Sequence, residues 1–322
     1  MSGLAYIFPG QGSQSAGMGR ALAERYAAAR EVFEEADEAL GFSLSRLCFE
    51  GPADELQLTE NTQPAILTVS VAALRAMVAE NFPAPRYVAG HSLGEYSALV
   101  AAGALDLKTA VQTVRLRGRY MQEAVPVGAG AMAAILGAPL EMIVVACMEA
   151  AEGAVCSPAN INSPNQAVIA GDAAAVDRAI ELLKERGAKR AIKLNVSAPF
   201  HCALMRPAQE RLAEDLARIE FRDLSVPLVT NVTASPVVSG EAAREALVQQ
   251  VTAPVRWSET IEFLAGEGVS VAVEIGPGKV LSGLVKAVNP NLRCVNVEDS
   301  TSLESARAIL DGAAESEAQA VK

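Results

Sequence analysis

The chain has 322 residues, of which 51% are hydrophobic and 4% are aromatic, and it carries a formal net charge of −11. This length can bury one large core or two smaller ones, and the aliphatic composition favours an α/β protein over an all-β one. The acidic charge argues against nucleic-acid binding, and it means that an anionic ligand must be bound by a local group of arginines or lysines.

The cysteines and the N-terminus indicate where the protein resides. The five cysteines are odd in number, scattered and without C-x-x-C spacing, which favours reduced thiols and gives no sign of a disulfide framework or a metal site. The N-terminus lacks a basic region followed by a long apolar stretch, and no apolar run reaches the length of a membrane span. We therefore predict a cytoplasmic protein without a membrane segment.

Strand-like and helix-like runs alternate along the first 127 residues, as expected for βαβ units with a mostly parallel sheet. The predicted elements are a strand at 4–8, a glycine-rich turn at 9–14, a helix at about 18–40, a helix from Pro64, a strand at 86–89, a helix from Glu95, and a helix that Asp106 caps and that ends near Glu123.

The order of predicted strands and helices changes between residues 128 and 197. The pattern there predicts a strand at 131–136, a helix at 139–151, strands at 154–161 and 166–170, a helix capped by Asp172, and a strand at 189–196. This βαββαβ order is ferredoxin-like. We predict a small ferredoxin-like domain (128–197) inserted into a large α/β-hydrolase-like domain (1–127 and 198–322).

From residue 198 onward, strand-like and helix-like runs alternate again as they do in the first 127 residues. The predicted elements are helices at 204–218, 241–251 and 258–266, strands at 227–230, 270–275 and 292–297, and helices from Lys279 and Ser302.

Gly90-His91-Ser92-Leu93-Gly94 lies between a predicted strand and a predicted helix. In that context Gly-x-Ser-x-Gly is typical of a nucleophile elbow, in which the glycines allow a tight turn that exposes the serine hydroxyl. The sequence therefore predicts Ser92 as a nucleophile.

A serine nucleophile needs a base, and the chain has two histidines. His91 precedes Ser92 in the elbow, so its side chain should point away from the hydroxyl and bond the surrounding backbone. By elimination His201 is the candidate base, at the junction of the two predicted domains, where clefts are common. The alternative is a structural histidine packed at that junction.

The negative charge of an acyl-transfer intermediate needs hydrogen-bond donors. The backbone amide of Leu93 is one by elbow geometry, and the Gly10-Gln11-Gly12 turn can supply another. Neither this turn nor Gly276-Pro277-Gly278-Lys279 has the spacing of a phosphate-binding loop. Arg117 lies in a basic run on a helix, and on pattern alone a solvated basic face is the favoured interpretation.

These motifs occur together in one family. The chain resembles the malonyl-CoA:acyl carrier protein transacylases over nearly its whole length. The matching segments are 8–14 (FPGQGSQ), 63–65 (QPA), 90–97 (GHSLGEYS), 115–118 (RLRG), 160–164 (NINSP), 200–201 (FH), 249–251 (QQV), 254–257 (PVRW) and 274–278 (EIGPG).

The resemblance implies a ping-pong transfer of a malonyl group through an ester on Ser92, with His201 as general base and acid. It assigns to Gln250 the backbone carbonyl that orients His201, and to the amides of Gln11 and Leu93 the oxyanion hole. It also implies that Arg117 binds the free malonyl carboxylate, which reverses the interpretation of that arginine from pattern alone.

The resemblance further implies a pocket that selects malonyl through the bulk of Phe200. Gln63, Asn160 and Asn162 match positions near that pocket. The implied partners are malonyl-CoA and acyl carrier protein, with no cofactor, and we expect a monomer. Because the carrier protein is acidic, it should dock on a basic patch, for which the sequence offers Lys189, Arg190, Lys193, Arg206 and Lys286.

Three alternatives stay open at this point. A serine hydrolase shares the elbow but should show a carboxylate partner for its histidine. A non-catalytic docking protein should have lost Ser92, His201 or Arg117, and all three are present. A polyketide acyltransferase would share the same residues and differ in its acceptor.

Overall fold

The computed structural model describes residues 3–196 and 198–320, which form two β-sheets surrounded by helices. The strands are β1 (Leu4–Phe8), β2 (Tyr87–Gly90), β3 (Gly130–Leu136), β4 (Cys156–Ser163), β5 (Gln166–Asp172), β6 (Arg190–Lys193), β7 (Leu228–Val229), β8 (Pro236–Val237), β9 (Val271–Ile275) and β10 (Arg293–Val297).

The helices lie between these strands and after the last of them. They are α1 (Arg20–Arg25), α2 (Ala27–Leu40), α3 (Leu44–Glu50), α4 (Ala53–Gln57), α5 (Thr59–Ala79), α6 (Gly94–Ala101), α7 (Leu107–Glu123), α8 (Leu140–Ala151), α9 (Ala173–Glu185), α10 (Arg206–Leu216), α11 (Gly240–Gln250), α12 (Trp257–Gly266), α13 (Val280–Val288) and α14 (Ser300–Ala320), with a 3-10 turn at Ala203–Met205 before α10.

The larger sheet has the strand order β10-β9-β1-β2-β7-β8 and is parallel except for β8. Its central strand β1 is buried on both faces, as is usual for a parallel strand covered by helices. Leu4, Tyr6 and Phe8 belong to one hydrophobic cluster, whereas Ala5 and Ile7 belong to a second cluster around Trp257. This sheet is the mostly parallel core that the sequence predicts.

The smaller sheet is antiparallel, with the order β4-β5-β3-β6. That order, with α8 and α9 as its two helices, is the ferredoxin-like arrangement, so the predicted fold class is confirmed. One face packs with α8 and α9 in a cluster of its own. Met132, Val168 and Ala170 on the other face join the main core. The domain boundaries stay predictions, and residue 197, which ends the predicted small domain, lies outside the described residues.

Two helix predictions need correction. The helix expected at about 18–40 is broken at Tyr26, whose backbone is extended and separates α1 from α2. The helix expected to start near Pro64 begins at Thr59 instead. The extra turn ahead of Pro64 forms because Leu58 accepts hydrogen bonds from the amides of Asn61 and Thr62.

The two capping predictions have different outcomes. Asp106 caps α7 as predicted, since its side chain accepts from the Thr109 amide at 2.7 Å. Asp172 precedes α9, but its carboxylate accepts from the Val155 amide at 2.7 Å and makes no cap bond. The carboxylate therefore joins the end of β5 to the chain before β4 rather than stabilising the helix start.

Helix α5 is long and apolar enough to cross a membrane by length and composition alone, although the sequence analysis found no run of that length. However, 78% of the apolar window is buried inside the protein, and core helices of soluble proteins pass the same test. The burial of α5 against the rest of the fold is sufficient to explain its apolar sequence.

Candidate active site

The turn between β2 and α6 holds Ser92 in a left-handed backbone conformation, with φ of +51°. Gly90 and Gly94, on either side of this turn, leave no room for a side chain. A Cβ atom on Gly90 would lie 1.9 Å from the carbonyl carbon of Gly94, and one on Gly94 would lie 2.1 Å from the carbonyl oxygen of Phe8. The turn is therefore pressed against the end of β1, as a nucleophile elbow requires.

His201 lies beside this elbow. Its Nε2 is 2.7 Å from Ser92 Oγ, and its Nδ1 is 2.9 Å from the backbone carbonyl oxygen of Gln250. A carbonyl oxygen can only accept, so Nδ1 carries the proton and Nε2 is left to accept from the serine hydroxyl. This pair is arranged for proton transfer from Ser92 to His201.

The surroundings of His201 keep it neutral. Burial, and then the positive charge of Arg117, lower its pKa from the ordinary 6.5 to about 3. The imidazole is therefore uncharged at neutral pH and can accept a proton.

Arg117 is buried, with 1% of its surface exposed, so the interpretation as a solvated basic face is wrong. Its Nη1 donates to Gln63 Oε1 at 2.7 Å, and its Nη2 donates to Gln250 Oε1 at 3.0 Å and to Ser92 Oγ at 3.1 Å. Its Nε has no hydrogen-bond partner within the described residues. A cation thus points directly at the serine hydroxyl.

The close packing of α7 against the start of α5 brings Arg117 to this position. A Cβ atom on Gly118 would lie 2.6 Å from the carbonyl oxygen of Thr59 and 2.8 Å from the Cα of Glu60. Only glycine allows the two helix backbones to approach this closely.

Two amide side chains fix the backbone of Ser92. Asn231, which follows β7, accepts from the Ser92 amide through Oδ1 at 2.7 Å and donates from Nδ2 to the Gly90 carbonyl at 2.6 Å. Gln250 Nε2 donates to the Ser92 carbonyl at 3.0 Å. The backbone N–H and C=O of Ser92 are therefore both hydrogen-bonded to side chains far along the sequence.

A cleft of about 820 Å³ opens over these residues, between the two sheets. The predicted site residues that line it are Gln11, Gln63, Ser92, Arg117, Asn160, Phe200 and His201. Leu93, Asn162 and Gln250 are buried next to it. Among the described residues, the backbone amides of Gln11 and Leu93 donate to no protein acceptor.

His91 has a different partner from the one that the sequence analysis gave it. Its Nε2 is 2.9 Å from Asn162 Oδ1 on β4, and its ring lies 5.5 Å from that of Trp257. Since Oδ1 can only accept, Nε2 carries the proton. This contact ties the elbow to the smaller sheet rather than only to its own turn.

The sequence analysis missed Asn231 and Glu95. Asn231 stands just after a buried parallel strand, where ligand-binding residues of α/β sheets gather, and that position could have identified it. Glu95 is completely buried in the first turn of α6. Across residues 3–196 and 198–320, no three His, Cys, Asp or Glu side chains are grouped as metal ligands would be.

The chain as a whole is similar to known acyltransferases. A family model for the acyl transferase domain matches residues 5–306. The chain is 52% identical to a malonyl CoA-acyl carrier protein transacylase of Bacillus subtilis, covering 95% of this chain and 96% of the relative.

Two solved structures are also similar. An acyl carrier protein S-malonyltransferase from Vibrio cholerae superposes with a TM-score of 0.93 at 49% identity, covering 94% of this chain and 99% of that one. A malonyl-transacylase in complex with its type II polyketide synthase acyl-carrier protein superposes with a TM-score of 0.92 at 50% identity, covering 94% and 98%.

The fold and the Ser92–His201 pair therefore define an acyltransferase. More narrowly, the chain belongs to the malonyl-CoA:acyl carrier protein transacylase family.

Proposed function

We propose that this enzyme transfers a malonyl group from malonyl-CoA to the phosphopantetheine thiol of an acyl carrier protein. The names of its relatives support both substrates, and one of those relatives was solved with a carrier protein bound. The observation that carries the proposal is Arg117, a buried cation whose Nη2 lies 3.1 Å from the oxygen of Ser92. A hydrolase of simple acyl groups has no need of such a cation.

The first half-reaction acylates the serine. His201 Nε2 takes the proton of Ser92 Oγ while that oxygen attacks the thioester carbonyl of malonyl-CoA. The resulting oxyanion accepts hydrogen bonds from the amides of Gln11 and Leu93, neither of which has an acceptor among the described residues. The carbon–sulfur bond then breaks, His201 returns the proton to the departing thiolate of CoA, and an ester on Ser92 remains.

The second half-reaction repeats these steps with another thiol. His201 takes the proton of the phosphopantetheine thiol, whose sulfur attacks the ester carbonyl. The carbon–oxygen bond breaks and the proton passes to Ser92 Oγ, which restores the enzyme. The Nδ1 of His201 is held by a carbonyl, as expected for this family, whereas the hydrolase alternative predicts a carboxylate there.

Arg117 selects the acyl group. The unpartnered Nε–H and the Nη2 that reaches Ser92 are suited to a paired contact with the two oxygens of a carboxylate. An acetyl group leaves the buried guanidinium without this partner, which should cost about 3–5 kcal/mol. Phe200 fills part of the cleft, and we propose that its bulk disfavours a methyl branch on the acyl chain.

The test compares wild type with Arg117→Ala on malonyl-CoA and acetyl-CoA, with the acyl-enzyme on Ser92 followed by mass spectrometry. We expect wild type to form the malonyl ester and pass it to the carrier protein, and the variant to lose its preference for malonyl by about a hundredfold or more. Arg115→Ala is the matched control, since Arg115 lies on another face of α7 and bonds Asn61. An unchanged malonyl preference in Arg117→Ala would overturn the assignment.

A further inference from the structure

Glu95 is a buried carboxylate beside the site that the reaction steps above do not use. None of its surface is exposed. Its Oε2 accepts from the Asn231 amide at 2.9 Å and from Gln250 Nε2 at 3.0 Å, whereas its Oε1 has no hydrogen-bond partner within the described residues. A buried charge with an unsatisfied oxygen is costly, so its presence needs a reason.

The amide of Gln250 connects this carboxylate to Arg117. Its Oε1 accepts from Arg117 Nη2 at 3.0 Å, while its Nε2 donates to Glu95 at 3.0 Å. A guanidinium can only donate and a carboxylate can only accept, so the two charges together fix the orientation of this amide. Direct hydrogen bonds therefore link the guanidinium of Arg117, the amide of Gln250 and the carboxylate of Glu95.

The two charges also affect each other. The positive charge of Arg117 lowers the pKa of Glu95, against the larger effect of burial, which raises it to about 7. In turn the charge of Glu95 raises the pKa of Arg117, against the larger lowering effect of burial. Above pH 7 Glu95 is therefore mostly ionised, and its negative charge offsets that of the buried guanidinium.

We propose that Glu95 is a positioning residue for Arg117, acting through Gln250 as its internal counter-charge and thereby limiting how tightly the arginine holds the carboxylate of the acyl group. This inference rests on the proposed function, because it needs a substrate with a free carboxylate. An acyl carboxylate at Arg117 competes with the negative charge already present behind Gln250. The arginine thus remains stable in the empty enzyme and releases the acyl chain to the acceptor.

Glu95→Gln separates the charge of this residue from its shape. The glutamine carbonyl can still accept from Asn231 and Gln250, so the position of Gln250 is kept, and Gln63 still holds Nη1 of Arg117. The main effect of the substitution on Arg117 should then be the loss of the negative charge of Glu95, since Arg117 itself stays in place. Arg117 is left without its internal partner and attracts the substrate carboxylate more strongly.

The experiment measures acyl-enzyme formation on Ser92 in single turnovers at pH 8, where the Glu95 carboxylate is ionised. We expect Glu95→Gln to lower the half-saturating concentration of malonyl-CoA by about threefold to tenfold and to leave that of acetyl-CoA unchanged. In an Arg117→Ala background the same substitution should have no effect on malonyl-CoA. A purely structural role would change both substrates alike.

Glu274→Gln is the matched control. Glu274 is also buried and accepts from Leu281 and Ser282 at the start of α13, with no bond to the site. We expect Glu274→Gln to leave the ratio of the half-saturating concentrations of malonyl-CoA and acetyl-CoA the same as in wild type. The inference is overturned if Glu95→Gln leaves that ratio unchanged, if Glu274→Gln shifts it equally, or if the effect persists without Arg117. If wild type forms no malonyl ester at all, the proposed function fails instead.

Discussion

Ser92 and His201 both have left-handed backbone conformations, with φ of +51° and +59°. Such angles are uncommon for residues other than glycine and are maintained only where the surrounding structure holds them. For Ser92 the holding groups are the side chains of Asn231 and Gln250, which bond its amide and its carbonyl. The side chain of His201 is held at Nδ1 by the carbonyl of Gln250. Gln250 therefore contacts nucleophile, base and Arg117 at once.

The pKa of His201 leads to a prediction for acylation. The base that we propose, His201, works only while neutral, and burial and the charge of Arg117 lower its pKa to about 3. We expect acylation of wild type by acetyl-CoA, whose acyl group is uncharged, to be level between pH 8 and pH 5. In Arg117→Ala the lowering charge is gone, so the rate should begin to fall at higher pH than in wild type.

The measurement is the pH dependence of acyl-enzyme formation in single turnovers. Malonyl-CoA provides an internal comparison, because its carboxylate offsets the charge of Arg117. With malonyl-CoA, the acylation rate of wild type should therefore begin to fall at a higher pH than with acetyl-CoA. Arg115→Ala should keep the wild-type profile. Identical profiles for Arg117→Ala and wild type would show that the arginine does not act on the base.

At the scale of elements, the approach of α7 to α5 depends on Gly118. In Gly118→Ala the new methyl group would meet the backbone of Thr59 and Glu60, which cannot move out of its way. We expect the free energy of unfolding to fall by about 1–3 kcal/mol, as for other overpacked sites, and malonyl acylation to fall with it because the neighbouring Arg117 shifts. Chemical denaturation and acylation assays measure the two effects.

Gly283→Ala in α13 is the matched control for Gly118→Ala. A Cβ atom there meets nothing within 4 Å, so the substitution should stabilise the helix by about 0.5–1 kcal/mol and leave acylation unchanged. Equal stability of the two variants would mean that the α5–α7 contact tolerates a larger residue.

The sequence predicts most of the elements but fewer of the contacts between them. The alternation of runs gave both sheets and the ferredoxin-like order, since buried strands and amphipathic helices leave periodic patterns. The break at Tyr26 and the turn ahead of Pro64 left no such pattern. The elbow predicts Ser92 as the nucleophile and elimination predicts His201 as its base, and the two side chains lie 2.7 Å apart. The burial of Arg117 depends on the fit of Gly118 against α5, which is a tertiary contact. Glu95 and Asn231 could not be assigned for the same reason.

For the whole molecule, the net charge of −11 makes docking of an acidic carrier protein depend on local basic residues. None of the five candidates lines the cleft, and Lys193 is paired with Asp177 at 2.7 Å. Lys189 and Arg190 are exposed at the start of β6, and the segment after β6, which includes Leu194 and Val196, lines the cleft. Lys189 and Arg190 therefore stay candidates for the docking patch, as do the exposed Arg206 and Lys286.

We expect charge reversal at these two residues, Lys189→Glu with Arg190→Glu, to slow transfer to the carrier protein by about tenfold at low salt and to leave acylation by malonyl-CoA unchanged. The two half-reactions are measured separately. Arg293→Glu with Lys108→Glu, at two exposed residues that do not line the cleft, changes the net charge equally and is the control for total charge. Equal rates of transfer for the double variant and this control would exclude the patch. The cytoplasmic location and the monomeric state stay predictions.

The order of strands in the larger sheet has a consequence for biosynthesis. β1 leaves the ribosome before the other strands of its sheet and pairs with β2, but its other neighbour, β9, begins at Val271. An unfinished chain therefore holds a central, apolar strand with one open edge until β9 has been made. Such long-range pairing slows folding and leaves the nascent chain exposed to aggregation, so it should depend on chaperones during synthesis. Gln250 follows Ser92, Arg117 and His201 in the chain, so a chain that ends before it lacks the bonds from Gln250 to Ser92 and His201.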